Sequence, residues 1–559
     1  MMPALSRLLC ASLALLAAGA QAATDPAVWL ATPAESGLHW QSSTGAPVPA
    51  RIQHEALPLG STWKLFAWLY LSGNNLQEKP YSCAAGPAQP GDEYCCEAGQ
   101  QIDRDVALAR SCGAYFAPQR LGLQAAAWQH WWRQQAPQSP WLADMGNMRP
   151  DYRVPAQALL AALAQVPGPE REQARAALIG RLLQPRWQDF TALAGSGYRF
   201  KTFTWDDPGR PGASLGGAAG WLANGQPFWI GGEGSSFTVM QRLAPQLPAL
   251  LPLPAQAVAA GNTSACVDVA FFHHYPLTVV LDEAGQPLRL PGSLGGKVTL
   301  QFANGQRLPV TSDGLLTLGW RQQRPEISAR FDLEQYVARV IDREGDAAEP
   351  AAARALAVAA RSWLAQNAGF EHGCWQVDDD SHMQRVSPNP PTAAAWRAAW
   401  YTEGLLLQGQ SVQYHQTHGE NGQLSWAQAV QASRQGEDYV RILTHAFPHA
   451  SLTGLGSQAS CSRLPDAEQW LQRHLPQARQ RLWQEPGFEP VDTIKVCQLS
   501  YGNPYSDQRQ QSIWVRRMDS RDDRITLWHE YLHIAFRHHP NGWNEAYLEN
   551  LARQLVDTI

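Results

Sequence analysis

The 559 residues exceed what one hydrophobic core serves, so two to four domains are expected. A hydrophobic content of 45% with 17% charged residues describes a folded globular chain, and a net charge of -5 lacks the basic excess of a nucleic-acid binder. The 23 tryptophans are many, and core packing is their default use.

The opening stretch, MMPALSRLLCASLALLAAGAQAA, carries Arg7, an apolar run and small residues ending at Ala22. That is the layout of a signal peptide over residues 1–23, cleaved near Ala22–Ala23. The run is too short to cross a bilayer, and no later segment is apolar enough to do so. The mature chain is therefore expected in the periplasm, with no transmembrane segment. Losing Cys10 leaves eight cysteines, an even number in an oxidising compartment, so disulfides are expected. The cluster SCAAGPAQPGDEYCC predicts a stapled loop in which Cys83 joins Cys95 or Cys96.

Next, LPLGSTWKLFAWLYL places Ser61 and Lys64 three apart at the start of an apolar helical run, on one face. A lysine there can take the serine proton and make a nucleophile for acyl transfer. Ser111 follows in SCGAYF, then Lys201 and Thr202 in GYRFKTF. This order resembles the penicillin-binding and serine β-lactamase family, with its S-x-x-K, S-x-N and K-T-G motifs. The resemblance implies a penicillin-binding-like α/β/α domain over residues 24–245, with Ser61, Lys64, Ser111, Lys201 and Thr202 as its catalytic group. Gly113 stands where the family has asparagine, and Phe203 where it has glycine. A degenerate site without efficient D-alanyl transpeptidation is expected.

Residues 246–261 are rich in proline and alanine and read as a linker. Short alternating runs follow, VDVAFF, LTVVL, KVTLQF, LPVTS and LLTLGW, which predict strands, with DEAGQP and ANGQ as hairpin turns. From Leu333 the pattern turns helical, and Pro350 suits a helix start. The stretch LEQYVARVIDREGDAAEPAAARALAVAARSWL, with DDDSHMQRV and the close GQLSWAQAVQASRQGEDYVRILTHAFPHASL, resembles the stage II sporulation protein D (SpoIID) family. That implies an α+β domain over 262–455 acting on glycan strands as a lytic transglycosylase. Glu344 falls on the family's glutamate. One carboxyl group serving as acid and then base needs an apolar pocket and a raised pKa. Arg361 and Gln384 are the expected substrate contacts, Arg361 pairing with a substrate carboxylate or with Glu344. Asp380 is a weaker candidate, and THGENG around His418 departs from the family's G-H-G-V-G.

The tail, 456–559, predicts a helix, a strand around TIKVCQL, an edge strand SIWVRRMD and two closing helices. RITLWHEYLH puts His529 and His533 on one helical face, where both imidazoles reach one zinc, with Glu530 as general base. Two residues compete as third ligand, Glu545 and His539. The pattern is similar to HExxH zinc peptidases, and NEAYLE resembles the N-E-x-x-x-D of glutamate-zincins. That resemblance implies a small zincin-like α+β domain in which Glu545 binds Zn2+ and Glu549 supports a histidine from behind.

The whole chain thus reads as a multidomain α+β protein with peptidoglycan, both glycan strands and stem peptides, as its common partner. The function expected is a zinc-dependent hydrolase with glycan-processing and degenerate penicillin-binding-like modules. The alternative is a non-catalytic peptidoglycan-binding scaffold built from decayed enzyme domains.

Overall fold

The computed structural model describes residues 26–83, 95, 101–183, 191–195, 197–222, 224–244, 246–251, 266–380, 383–415, 423–454, 461, 463–499, 504–508 and 510–558. The signal, most of the linker, Cys96 and His418 lie outside these. Among the described residues no helix is long and apolar enough to cross a membrane.

The first part is built on a five-stranded antiparallel sheet. Its order is Gly37–Ser42, Val28–Ala34, Pro227–Glu233, Ser214–Trp221 and, at the edge, Arg199–Asp206. A 3-10 turn, Gly60–Thr62, leads into the helix Trp63–Gly73, whose residues from Trp63 to Leu71 are all buried. A helix apolar on every side must be covered on every side. Tryptophans do much of that: Trp132 packs edge-on against Phe66 and Trp131 edge-on against Tyr70, while Trp128 lies tilted against Tyr70. Cys95 pairs with Cys112, Cα atoms 4.3 Å apart. The Cys83–Cys95 alternative is therefore wrong, although Cys83 is itself disulfide-bonded.

The middle part holds a seven-stranded sheet in the order Leu277–Leu281, Gly292–Phe302, Arg307–Arg321, Arg324–Asp332, Cys266–Phe271, Cys374–Asp378 and Gly369–Glu371. LPVTS and LLTLGW are not two strands but one, Arg307–Arg321. Arg324–Asp332 was not expected as a strand. It buries Pro325, Ile327, Ala329 and Phe331 in strict alternation, while its charged residues face outward or sit at intermediate depth. Helices Leu333–Glu344, Pro350–Asn367 and Ala393–Tyr401 pack on the buried face. Pro350 does open its helix. The bond Cys266–Cys374 ties two parallel neighbours at their first residues.

In the last part the helix Pro465–Leu482 precedes a three-stranded sheet ordered Lys495–Gln498, Ser512–Val515, Tyr505–Asp507. SIWV is thus the central strand and not the edge. Its buried Ile513 is paired on both sides, with Val496 in parallel and with Ser506 antiparallel, while Val515 pairs with Gln498. Arg521–Ala535 starts with a capping box between Ser520 and Asp523. A turn, Pro540–Trp543, reverses the chain into Glu545–Thr558, where Asn544 accepts the Tyr547 N–H at 3.1 Å.

The start of the expected linker is instead a short helix, Leu247–Leu250, with Leu247 and Leu251 buried in the core, and the parts pack directly on one another. Tyr198, Met240 and Leu247 share one core cluster with Ala355, Leu356 and Tyr439, and the Tyr439 hydroxyl accepts the Gly195 N–H at 3.1 Å. Gln101 exchanges backbone hydrogen bonds with Arg463, and Asp103 accepts the Cys461 N–H at 2.6 Å. Arg463 also bridges to Cys497, which is disulfide-bonded to Cys461.

Candidate functional site

The returning helix brings its first residue back over the HEYLH face. His529 and His533 turn their Nε2 atoms towards one point, 3.1 Å apart. Glu545 places Oε2 3.1 Å from the first and Oε1 3.6 Å from the second. The three ligand atoms lie within 4.8 Å of one another. The rear nitrogens are backed as well. His533 Nδ1 lies 2.7 Å from the Gly542 carbonyl oxygen, and His529 Nδ1 lies 3.2 Å from Glu549 Oε2, an ion-pair distance off the line of a hydrogen bond. Such backing fixes tautomer and ring orientation in metal-binding histidines.

Burial shapes the charges here. Glu530 is 6% exposed, and burial raises its carboxyl above the usual range against the pull of both imidazoles. Burial works against protonation of His533, yet the Glu545 hydrogen bond and the Glu530 and Glu545 charges raise it overall. At Glu545 burial pushes upward, but the two histidines carry the carboxyl well below its ordinary value. Two imidazoles and one carboxylate around one point fit catalytic zinc, which takes three protein ligands and keeps a fourth position open. His539 stands apart. Its Nδ1 accepts the Asn541 N–H at 3.2 Å, capping the turn, and its ring rests on Gly487.

Glu344 ends the helix Leu333–Glu344 and accepts the Arg385 N–H at 2.9 Å. Burial raises its carboxyl, against that hydrogen bond and the charges of Arg385 and Arg343. The small cavity beside it is lined by Leu356, Tyr414, His415, Leu424 and Trp426. Sequence reasoning missed Tyr414 and Trp426, because these residues lie on separate elements and share no spacing with Glu344. Arg361 does not belong here. It is 1% exposed, pairs with Glu334 (Nε to Oε1, 3.0 Å) and donates to the Leu405 carbonyl, so it ties the two helices to the strand Leu405–Gln408 and does not pair with Glu344. Gln384 is likewise 1% exposed. It accepts from Tyr336, and its amide nitrogen contacts the Tyr414 hydroxyl at 3.0 Å, which makes it a support of the cavity wall. Asp380 faces His274 at 3.0 Å.

The structure also assembles the serine group. Lys64 Nζ lies 3.1 Å from Ser61 Oγ and 3.2 Å from Ser111 Oγ, and donates to the Ser111 carbonyl at 2.7 Å. Lys201 Nζ reaches Ser111 Oγ at 2.9 Å and the Thr202 carbonyl at 2.9 Å. Ser111 holds a left-handed backbone, φ 66°, a conformation uncommon outside glycine. Phe203 is 2% exposed and stacks on Trp229. Its Cβ lies 2.8 Å from where a Cβ on Gly60 would be, so its side chain closes the gap between the edge strand and the turn bearing Ser61.

Residues 88–212 and 422–541 match a family described as Predicted secreted protein (DUF2300), and residues 321–435 match Stage II sporulation protein. The first description agrees with the signal peptide, and the chain is an exported protein. Among solved structures, L2 complexed with relebactam is similar at 17% identity and TM-score 0.27, covering 40% of this chain and 90% of that one. A peptidoglycan synthetase from Bifidobacterium adolescentis ATCC 15703 is similar at 11% identity and TM-score 0.28, covering 42% and 58%. A relative from Escherichia coli (strain K12), Uncharacterized protein YfaQ, is 39% identical over 522 residues, 93% of each chain. On that identity and that coverage, the chain belongs to the YfaQ family.

Proposed function

We propose that this exported protein is a peptidoglycan hydrolase whose working centre is a zinc site made by His529, His533 and Glu545. The observation that carries the reading is the convergence of these side chains, backed by Glu549 and the Gly542 carbonyl, with the buried Glu530 beside them. Zinc held there would supply a Lewis acid for a scissile carbonyl and ease proton loss from a water. Glu530 takes that proton and passes it to the departing nitrogen. Its raised carboxyl suits a group that must hold a proton and then release it. The sporulation-protein match, read with the glycan-strand action that resemblance implies, supports the bacterial cell wall as the substrate.

Zinc content and peptidase activity on purified cross-linked peptidoglycan test this reading. Wild type should hold one zinc per chain. Glu530→Gln should keep the zinc and lose the activity, while His533→Ala and Glu545→Ala should lose both. A wild type without zinc sinks the proposal and leaves the scaffold alternative.

A second reading concerns Glu344. Its cavity and raised carboxyl favour protonation of a glycosidic oxygen by a single acid, with the sugar's own 6-hydroxyl as nucleophile. Release of 1,6-anhydro sugar should then stop in Glu344→Gln. Digestion by that variant at the wild-type rate would remove the assignment.

A further inference from the structure

We infer that the metal cleft is a composite site: the middle domain supplies the wall facing the metal ligands, and the occupant is an extended peptide. This rests on reading His529, His533 and Glu545 as a zinc centre. The cleft has a volume of 110 Å³. Glu530, His533 and Glu545 line one side, and Gln366, Gln408 and Gln410 line the other. The last three come from a helix end and a strand end more than a hundred residues away in sequence, so the two walls belong to different domains.

The far wall is fixed in place. Gly409 has φ +87°, and a Cβ there would meet Tyr505 Cβ at 3.0 Å and the Pro504 carbonyl oxygen at 3.1 Å. The middle domain's backbone therefore sits directly against the strand Tyr505–Asp507, which borders the metal site. Gln366 ties the segment from within. It donates to the Gln410 carbonyl at 3.0 Å and accepts the Val412 N–H at 2.9 Å. Gln410 in turn accepts the His449 N–H at 3.0 Å. On the near side Gln508 donates to the His533 carbonyl at 3.3 Å.

Gln366 is committed inside the wall, as is Gln410 Oε1 with the His449 N–H, which leaves the Gln410 amide N–H and the Gln408 carboxamide to meet a peptide backbone, itself both donor and acceptor. The size points the same way. Pockets for drug-sized ligands begin at roughly 300 Å³, and a cleft of about 110 Å³ is narrower than that, admitting a slim chain and no bulky group. Gln408 and Gln410 are thus specificity-determining residues: they hold the peptide on the side away from the metal and leave the metal ligands untouched.

The test uses the full-length, zinc-loaded protein and two probes measured by calorimetric titration. Acetohydroxamate reaches only the metal, whereas N-acetyl-alanyl-alanine hydroxamate also spans the cleft. In Gln408→Ala/Gln410→Ala the peptide hydroxamate should bind about tenfold more weakly, the loss of one or two hydrogen bonds. Zinc content and acetohydroxamate affinity should stay at the wild-type level. Gln410→Glu keeps the side-chain shape and removes the donor, so it should weaken the peptide probe if the double variant folds poorly. Equal binding of the peptide probe by wild type and Gln410→Glu overturns the composite wall. A wild type that holds no zinc and binds neither probe overturns the zinc reading, and this inference with it.

Discussion

At the scale of single residues, the cluster of His529, Glu530, His533 and Glu545 was the most legible as a cluster. His529, Glu530 and His533 are set by helical spacing, and Glu545 by a return helix that Pro540, Asn541 and Gly542 make unavoidable. Arg361 was misplaced for the opposite reason. Its partner Glu334 lies 27 positions away, and only the packing of two helices brings them together. Phe203 was visible as a departure from a glycine, but not its consequence, the contact with Gly60. That contact carries a prediction. Fluorescent penicillin should label Ser61 weakly or not at all, although Lys64 Nζ lies 3.1 Å from Ser61 Oγ; stoichiometric labelling abolished by Ser61→Ala would show that Phe203 leaves the gap open. Removing the ring has its own cost, and Phe203→Ala should destabilise by about 3–5 kcal/mol in chemical denaturation. At the other site, Glu549→Ala should weaken zinc binding by about 10- to 100-fold, as loss of a group behind a ligand does. His539→Ala should leave zinc unchanged; loss of the metal in that variant would put His539 in place of Glu545.

At the scale of elements, hairpins marked by glycine and long amphipathic helices were readable. The turns at Gly285 and Gly305 both take positive φ, as expected of hairpin connections. The strand Arg324–Asp332 escaped notice because arginine, proline and glutamate at its start mask the alternation that burial reveals. The order within the last sheet was unreadable, since SIWV has the same composition at an edge or in the centre; what decides is the short Tyr505–Asp507 segment that pairs with it. The helix that carries His529 and His533 depends on its start as well as on its packing. Ser520→Ala should cost about 1 kcal/mol of stability, seen as a lower melting temperature. It should leave one zinc per chain, because the cap lies more than two turns from His529. Loss of zinc in that variant would mean that helix fraying reaches the ligands.

At the scale of the whole molecule, the composition breaks showed three parts but gave no sign of how they join. Contacts such as Gly195 with Tyr439, or Gln101 with Arg463, connect residues hundreds of positions apart and leave no local pattern to read. Asp103 makes one such joint measurable. Burial raises its carboxyl from 3.8 to about 6, against the hydrogen bonds from Val106 and Cys461. The folded state therefore holds a proton that the unfolded chain has released. The stability contributed is full below about pH 4 and is lost as pH rises through about 6, roughly 3 kcal/mol in total. Relative to Asp103→Asn, the wild type should lose that much between about pH 4 and pH 7 in denaturant titrations; a difference independent of pH would show that Asp103 is not buried against Cys461.

The strand Val28–Ala34, at the beginning of the described chain, lies between Gly37–Ser42 and Pro227–Glu233. A chain that emerges from an export channel with its amino end first must therefore keep that strand waiting. Its inner edge stays unpaired until about two hundred further residues have followed. The Gln101 backbone waits longer still, for Arg463. For most of its passage the protein holds open strand edges that any neighbouring chain can pair with, so the interval between emergence and closure is when it is most exposed to misassembly. A slowed exit should show as aggregation before any site is complete.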